Sequence, residues 1–199
     1  MYILENFGNP QGKLGSLLIK MMNKGHRKLH LWGISYLNVN DGDNILDIGC
    51  GGGSAIKIIS EKYSSCNIYG IDISEKSIEK ASILNQEKLN KQVYLNKSSV
   101  LNTPYKNDYF DIVVSFESIY FWKDLHNAFK EIYRIMKPNS KIYVFMEVLR
   151  KKNAFWEKFI KNMKEYSYEE IKYAMECSGF KNISLYSKSF TKNMIAGEK

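Results

Sequence analysis

Short apolar runs rich in β-branched and aromatic residues alternate with segments of helical periodicity along most of the chain. Five such runs lie at residues 44–48, 67–71, 92–96, 110–116 and 141–148, and two more lie near 183–186 and 190–196. Runs of this length predict buried strands, and the segments between the first five predict helices. Strands and helices in alternation predict an α/β fold, with a parallel sheet covered by helices on both faces.

Three of the predicted helices have recognisable N-caps. Ser74, Asp124 and Ser167 each stand just before an apolar repeat, and their side chains can accept a hydrogen bond from the first helical turn. Ser167 also begins a capping box, with Glu170 three residues later. The repeat after Asp124 consists of Leu125, Ala128, Phe129, Ile132, Ile135 and Met136. One face of that helix should therefore lie against the sheet.

The length and composition fit a single domain. A chain of 199 residues with 44% hydrophobic and 25% charged residues can bury one core but is short for two. Residues 12–37, ahead of the first strand, predict two amphipathic helices or one broken helix. We therefore expect residues 1–40 to form a helical cap and residues 41–199 to form the α/β core.

Several classes of protein are disfavoured by the same composition. The apolar runs fall well short of the roughly 20 residues of a membrane helix, and the N-terminus lacks the features of a secretory signal. The three cysteines have no C-x-x-C spacing, so we expect neither a disulfide framework nor a metal site. The net charge of +8 is spread over scattered lysines, which is typical of a solvated surface. We expect a cytoplasmic protein with no membrane contact.

The segment NILDIGCGGG at positions 44–53 carries the most chemical information. It predicts a buried strand that leads into a glycine-rich turn and then a helix. Gly49, Gly51 and Gly53 allow the backbone to turn sharply and approach a ligand, while the following helix presents free N–H groups. At the carboxyl edge of a parallel sheet, such a turn is a binding site.

The charge near this turn indicates which ligand it would hold. The dinucleotide pattern G-x-G-x-x-G is incomplete, because its third glycine would fall at Ser54. Asp47 stands two residues before Gly49, where a carboxylate would repel a phosphate and attract a cation. Asp72 ends the next strand, where an acid can accept hydrogen bonds from both ribose hydroxyls. S-adenosylmethionine has a ribose, an ammonium and a sulfonium, and it has no phosphate.

These motifs resemble those of the class I S-adenosylmethionine-dependent methyltransferases over about residues 43–199. LDIGCGGG at 46–53 is similar to the first family motif, GIDIS at 70–74 to the second, and DYFDIVV at 108–114 to the fourth strand. The resemblance implies a Rossmann-like, doubly wound, mostly parallel seven-stranded sheet whose last strand is antiparallel. The segments MNKGH, LWG and FESIYFW, beginning at positions 22, 31 and 116, further resemble a group of small bacterial methyltransferases.

The same resemblance implies a set of cofactor-binding residues. They are Asp47, Gly49, Cys50, Gly51, Gly53, Asp72, Ile73, Ser99, Val100 and Ser115. Two positions depart from the family pattern. Ser99 stands where an acidic residue often faces the adenine amino group, and a hydroxyl would accept that hydrogen bond more weakly. Asn139 stands in a turn that commonly carries glycine, and asparagine tolerates such turn geometry.

Four residues are candidates for the methyl-acceptor half of the site. Glu117 and Tyr120 lie in the loop after the fourth strand, and Glu147 ends the fifth strand at the same edge. Each could orient or deprotonate a nucleophile. His26 would join them if the helical cap closed over the sheet. The alternatives are that Glu117 contacts the cofactor while the aromatic residues of its loop belong to the core, and that Glu147 and His26 are surface residues.

The loop after the fourth strand also bears on the reaction class. Its sequence SFES at 115–118 does not resemble the Asn/Asp-Pro-Pro-aromatic tetrad of enzymes that methylate base amines. No cysteine lies where cytosine C5 chemistry needs a nucleophile. A small-molecule methyltransferase, as a monomer or homodimer that does not act on nucleic acid, is therefore our first hypothesis. An RNA or protein methyltransferase that uses the positive charge, or a non-catalytic S-adenosylmethionine sensor, remains as an alternative.

Overall fold

The structure is a computed structural model that describes residues 26–147, 162–189 and 192–199. Its α-helices are α1 Arg27–Ile34, α2 Ser54–Lys62, α3 Glu75–Leu84, α4 Leu125–Ile135 and α5 Tyr168–Cys177. Its strands are β1 Asn44–Ile48, β2 Asn67–Asp72, β3 Val93–Lys97, β4 Phe110–Phe116, β5 Met136–Met146, β6 Lys181–Ser189 and β7 Lys192–Glu198. A short 3-10 helix, Ile119–Phe121, follows β4.

The strands form one seven-stranded sheet in the order β3-β2-β1-β4-β5-β7-β6. The first five strands run parallel, and β7 is antiparallel to both β5 and β6. This confirms the expected Rossmann-like, mostly parallel sheet with an antiparallel last strand. The chain moves outward from β1 to β3 and then returns to the other side of β1 through β4. The reversal leaves a crevice between the carboxyl ends of β1 and β4, where α/β proteins bind their ligands.

Two hydrophobic cores cover the two faces of the sheet. Successive side chains of a strand point to opposite faces, so Ile45 of β1 packs in one core and Leu46 packs in the other. Apolar residues of α1 and α2 complete the first core, and those of α4 and α5 complete the second. The nearly continuous apolar sequences of β1 and β4 follow from this burial on both faces.

All three predicted N-caps are confirmed. The backbone N–H of Ser77 donates to Ser74 Oγ over 3.3 Å, and that of Asn127 donates to Asp124 Oδ1 over 3.0 Å. Ser167 and Glu170 form the complete capping box, with reciprocal bonds of 3.2 and 2.8 Å. Local residue types therefore determine where α3, α4 and α5 begin.

The fifth strand begins earlier than its apolar run indicates, at Met136 rather than at residue 141. Residues 136–140 join the sheet because their backbone pairs with distant segments. Asn139 N–H donates to Lys199 O over 3.0 Å, and Lys199 N–H donates to Ser140 O over 3.1 Å. Asn139 adopts a φ of +64°, the left-handed conformation expected for its turn.

Part of the predicted helical cap is described. Helix α1 packs over β5, where the Trp32 ring lies 5.9 Å from that of Phe145. Residues 1–25 of the predicted cap lie outside the described residues, and so do Val148, Phe190 and Thr191 of two predicted strands. Among the helices of the described segments, none is long and apolar enough to cross a membrane.

Candidate active site

A cavity of about 390 Å³ opens at the carboxyl ends of β1 to β4. Its walls come from the glycine turn after β1, the ends of β2 and β3, the loop after β4, and the first residues of the α1 region. The cavity thus occupies the crevice created by the reversal of the strand order. Two histidines, two aspartates, a glutamate and a lysine, Lys123, line it together with serine, aromatic and aliphatic side chains.

The glycine turn is held against β2 and against the loop after β4. The N–H groups of Gly49 and Cys50 both donate to Ile71 O, over 2.8 and 3.0 Å. Gly49 has a φ of +72°, and a Cβ on this residue would lie 2.3 Å from Ser118 Cβ. No larger residue fits here without a shift of the backbone. Ser118 and its loop can therefore approach the glycine turn this closely only because Gly49 has no side chain.

Asp72 presents its carboxylate to the cavity in a fixed orientation. Its Oδ2 accepts a hydrogen bond from Gly51 N–H over 2.9 Å, and its Oδ1 accepts one from Ser74 N–H over 2.8 Å. Burial raises the pKa of Asp72, and these backbone hydrogen bonds oppose the rise. The Ser77 hydroxyl also hydrogen-bonds to this carboxylate, which still leaves acceptor capacity for a hydroxyl donor of a ligand.

Asp47 is a buried acid that belongs to none of the ion pairs among the described residues. It is 1% exposed, and its Oδ1 has no hydrogen-bond partner among the described residues. Burial, reinforced by the negative charge of Asp72, raises the pKa of Asp47 to about 8. A buried polar atom that lines a cavity and has no partner is suited to a ligand that supplies one, here a cationic group.

Glu117 also lines the cavity. It follows β4 with a φ of +57°, and its backbone N–H donates to Phe145 O over 3.0 Å. Its Oε1 accepts hydrogen bonds from the Glu147 backbone N–H and from the Tyr120 hydroxyl. Burial raises the pKa of Glu117 to about 8, with a smaller contribution from the charge of Glu147. This carboxyl group can therefore hold or accept a proton near neutral pH.

The two histidines of the α1 region also line the cavity. Burial lowers the pKa of His26, and the nearby charge of Glu147 opposes that effect. Burial lowers the pKa of His30 to about 3, so its imidazole is neutral at physiological pH. The His30 ring lies 4.9 Å from that of Phe116, and its Nδ1 has no hydrogen-bond partner in the described segments.

Most of the residues expected from the sequence lie around the one cavity. Those that line it are Asp47, Gly49, Cys50, Gly51, Asp72, Ile73, Ser99, Val100, His26 and Glu117. Tyr120 and Glu147 stand behind Glu117 and contact it by hydrogen bonds. Gly53 does not line the cavity: a Cβ there would lie 2.9 Å from Ala81 Cβ, so this glycine allows α2 and α3 to pack closely. Ser115 is buried beneath the site.

Ser118 lines the cavity although it was not among the expected site residues. Its hydroxyl donates to Ile48 O over 2.8 Å and accepts a hydrogen bond from Trp122 Nε1 over 3.3 Å. The Ser115 hydroxyl lies 2.7 Å from the Ser118 hydroxyl and is its third hydrogen-bond partner. Ser118 thus links the end of β1 to the loop after β4. Its position depends on contacts between segments that are distant in sequence, and a local pattern gives no signal for them.

The sheet order and the acid-lined glycine turn define the class I S-adenosylmethionine-dependent methyltransferase fold. Sequence comparison agrees, because the family model described as "Methyltransferase domain" matches residues 46–144. The chain belongs to the class I S-adenosylmethionine-dependent methyltransferase family.

Relatives of this chain include methyltransferases of several kinds. The uncharacterized methyltransferase YdaC of Bacillus subtilis is 27% identical over 157 residues, which cover 76% of this chain and 85% of that protein. Demethylmenaquinone methyltransferase of Lactobacillus johnsonii is 27% identical over 175 residues, which cover 74% of this chain and 71% of that protein.

Solved structures show the same fold. A chain in the complex between the Haloferax volcanii Trm112 methyltransferase activator and a methyltransferase matches with a TM-score of 0.81 at 19% identity. The match covers 92% of this chain and 93% of that chain. An S-adenosylmethionine-dependent methyltransferase from Aquifex aeolicus matches with a TM-score of 0.74 at 18% identity, covering 92% and 97% of the two chains.

Proposed function

We propose that this protein binds S-adenosylmethionine in the cavity and transfers its methyl group to a small molecule. The observation that carries the proposal is the pairing of two acids with the glycine turn. Asp72 is oriented by two backbone N–H groups to receive the ribose hydroxyls, and Asp47 offers an unpartnered oxygen to a cationic group. Ser99 and Val100 line the part of the cavity after β3, where they would flank the adenine.

The acceptor half of the cavity fits general-base chemistry. S-adenosylmethionine supplies an electrophilic methyl group on its sulfonium. Glu117 faces the same cavity as Asp47 and Asp72, and its carboxylate can take the proton that a nucleophilic O–H or N–H group loses during transfer. The Tyr120 hydroxyl and the Glu147 backbone N–H hold Glu117 in position, while Phe116 and Trp122 provide apolar walls for the acceptor. Placement of Glu117 beside the proposed cofactor site favours an enzyme over a non-catalytic sensor.

A small acceptor is favoured by the size of the cavity, about 390 Å³ for cofactor and acceptor together, and by the rings of Phe116, Phe121 and Trp122 that line it. RNA and protein acceptors are the second candidate, because the chain has a net charge of +8 and resembles a chain from a complex with a Trm112 activator. Incubation with S-adenosylmethionine labelled in the methyl group would separate the candidates. A bacterial extract, divided into metabolites, RNA and protein, would provide the acceptors. Label in the metabolite fraction is the expected result, whereas label confined to RNA or protein would contradict the small-molecule assignment.

The affinity for S-adenosylhomocysteine should rise with pH. In the ligand-free protein the Asp47 carboxyl, with a pKa of about 8, is protonated at pH 6. A bound ammonium group favours the carboxylate, so binding releases a proton below pH 8. We expect the affinity to increase between pH 6 and pH 8 by up to about tenfold per pH unit.

Calorimetry at pH 6, 7 and 8, in two buffers of different ionisation enthalpy, measures both the affinity and the released proton. Asp47→Asn should weaken binding and remove most of this pH dependence, because its amide does not titrate. Equal affinity at pH 6 and pH 8, or an unchanged pH profile in Asp47→Asn, would exclude the role given to Asp47.

A further inference from the structure

Three potential metal ligands converge at the acceptor end of the cavity. His26 immediately precedes α1, Glu117 follows β4, and Glu147 follows β5. One donor atom from each of the three side chains lies within 4.8 Å of the other two. The three come from separate parts of the chain, so the fold itself assembles them.

The spacing of these donors suits a single ion. Metal–ligand bonds of about 2.0–2.2 Å place neighbouring ligand atoms roughly 3–3.5 Å apart. Separations within 4.8 Å can therefore close to metal-binding distances by side-chain adjustments on the order of 1 Å. A neutral imidazole and carboxylates are the ligating forms, and burial favours the neutral form of His26.

The carboxyl groups of Glu117 and Glu147 form no ion pair with a lysine or arginine in the described part of the chain. The ion pairs found there involve other acids, and neither Glu117 nor Glu147 belongs to one. If both carboxyl groups ionise, their like charges repel each other strongly at this distance where water is scarce. A bound cation would remove that repulsion.

Glu117 is also oriented in advance. Its backbone is fixed by the hydrogen bond to Phe145 O, and its Oε1 is held by the Glu147 N–H and the Tyr120 hydroxyl. Both described hydrogen bonds of the side chain are accepted by Oε1, so neither of them occupies Oε2. Such support of a ligand by surrounding hydrogen bonds is typical of metal sites.

A second, independent observation comes from His30. It lines the same cavity, is 94% buried, and its Nδ1 has no hydrogen-bond partner among the described residues. Its ring centroid lies 6.3 Å from that of His26. An unsatisfied buried nitrogen needs a partner, and a ligand or ion-bound water in this cavity would provide one.

We propose that His26, Glu117 and Glu147 bind a divalent transition-metal cation such as Mn²⁺ or Zn²⁺. Imidazole together with carboxylates suits these ions better than Ca²⁺ or Mg²⁺, which prefer oxygen ligands alone. Three protein ligands leave coordination positions open, as in catalytic metal sites. If the proposed methyl transfer holds, an acceptor oxygen would occupy one of these positions and release its proton to water there, and Glu117 would act as a metal ligand in place of a general base. Metal binding itself does not depend on the proposed function.

Titration of the metal-free full chain with MnCl₂ alone, followed by electron paramagnetic resonance of the free ion, tests the site. We expect one bound ion per chain, and at least tenfold weaker binding in Glu117→Gln and in His26→Ala. Glu117→Gln keeps an oxygen for the hydrogen bonds that hold the side chain. If that variant does not fold, Glu147→Gln replaces it with the same expected loss. The matched controls His126→Ala and Glu176→Gln remove an exposed imidazole and an exposed carboxylate from α4 and α5, and should bind as the unmodified protein does.

No stoichiometric binding by the unmodified protein, or equal binding by the site variants and the controls, would overturn the metal site. Binding of S-adenosylhomocysteine to the metal-free protein is measured in parallel. S-adenosylhomocysteine binding without Mn²⁺ binding would refute the metal site alone. Mn²⁺ binding without S-adenosylhomocysteine binding would refute the proposed cofactor while leaving the metal site intact.

Discussion

Asp72→Ala should reduce the affinity for S-adenosylhomocysteine by roughly 100-fold or more, because two charge-assisted hydrogen bonds to the ribose are lost at about 1.5–3 kcal/mol each. The variant also frees the N–H groups of Gly51 and Ser74, which the carboxylate holds in the unmodified protein. Both effects act on the cofactor half of the cavity. Calorimetric titration of both proteins with S-adenosylhomocysteine measures the difference.

Asp41→Ala is the matched control for this substitution. Asp41 is an exposed acid in the turn before β1, so its removal changes the net charge equally without touching the cavity. Binding by this control should be unchanged. Thermal unfolding of both variants shows whether Asp72→Ala remains folded. A folded Asp72→Ala protein that binds within threefold of the unmodified protein would contradict the assignment of Asp72.

Gly49→Ala should destabilise the protein by about 2–5 kcal/mol and abolish cofactor binding. A left-handed conformation costs a residue with a Cβ about 1–2 kcal/mol, and the overlap with Ser118 adds a cost on the order of 1–3 kcal/mol. The new methyl group would lie 2.3 Å from Ser118 Cβ, so the glycine turn and the loop after β4 would move apart. Chemical denaturation and calorimetry measure the two effects.

Gly42→Ala measures the cost of a positive φ alone, without the overlap with Ser118 that Gly49→Ala creates. Gly42 also has a positive φ, of +85°, but a Cβ there would meet no atom within 4 Å. Gly42→Ala should therefore lose only the conformational part of the stability and bind normally. Ser118→Gly combined with Gly49→Ala should recover part of the lost stability. Equal destabilisation by Gly42→Ala and Gly49→Ala would show that the overlap with Ser118 contributes nothing to the loss of stability.

The buried strands were the most predictable part of the fold. β1 and β4 lie between helices on both faces, so their sequences are continuous apolar runs, and both strands have the bounds predicted from those runs. The start of β5 was less predictable because residues 136–140 are held in the sheet by pairing with the C-terminus. Residues 137–139 are half-buried or exposed, so no apolar run marks them as part of a strand.

The cofactor half of the site was also accessible from sequence. Its elements are consecutive, since the glycine turn follows β1 and Asp72 ends β2, and parallel strands bring these ends together. The acceptor half was less predictable from the sequence. Its residues come from the start of α1 and the ends of β4 and β5, and the hydrogen bond between Glu147 and Glu117 joins two of these segments. Only the folded chain brings them together.

The unpaired state of Asp47 is a property of the fold as well. A sequence pattern indicates an acid before the glycine turn, but it does not show that the acid is buried and that its Oδ1 has no hydrogen-bond partner among the described residues. This combination makes a cationic ligand energetically favourable at this edge of the sheet.

The most direct measurement is a calorimetric comparison of S-adenosylhomocysteine, NAD⁺ and ATP as ligands of the unmodified protein. A cleft built around Asp47 and Asp72 should bind S-adenosylhomocysteine at one site per chain and show no heat of binding with the two phosphate-containing ligands. Binding of NAD⁺ or ATP in competition with S-adenosylhomocysteine, or no binding of S-adenosylhomocysteine, would contradict the account.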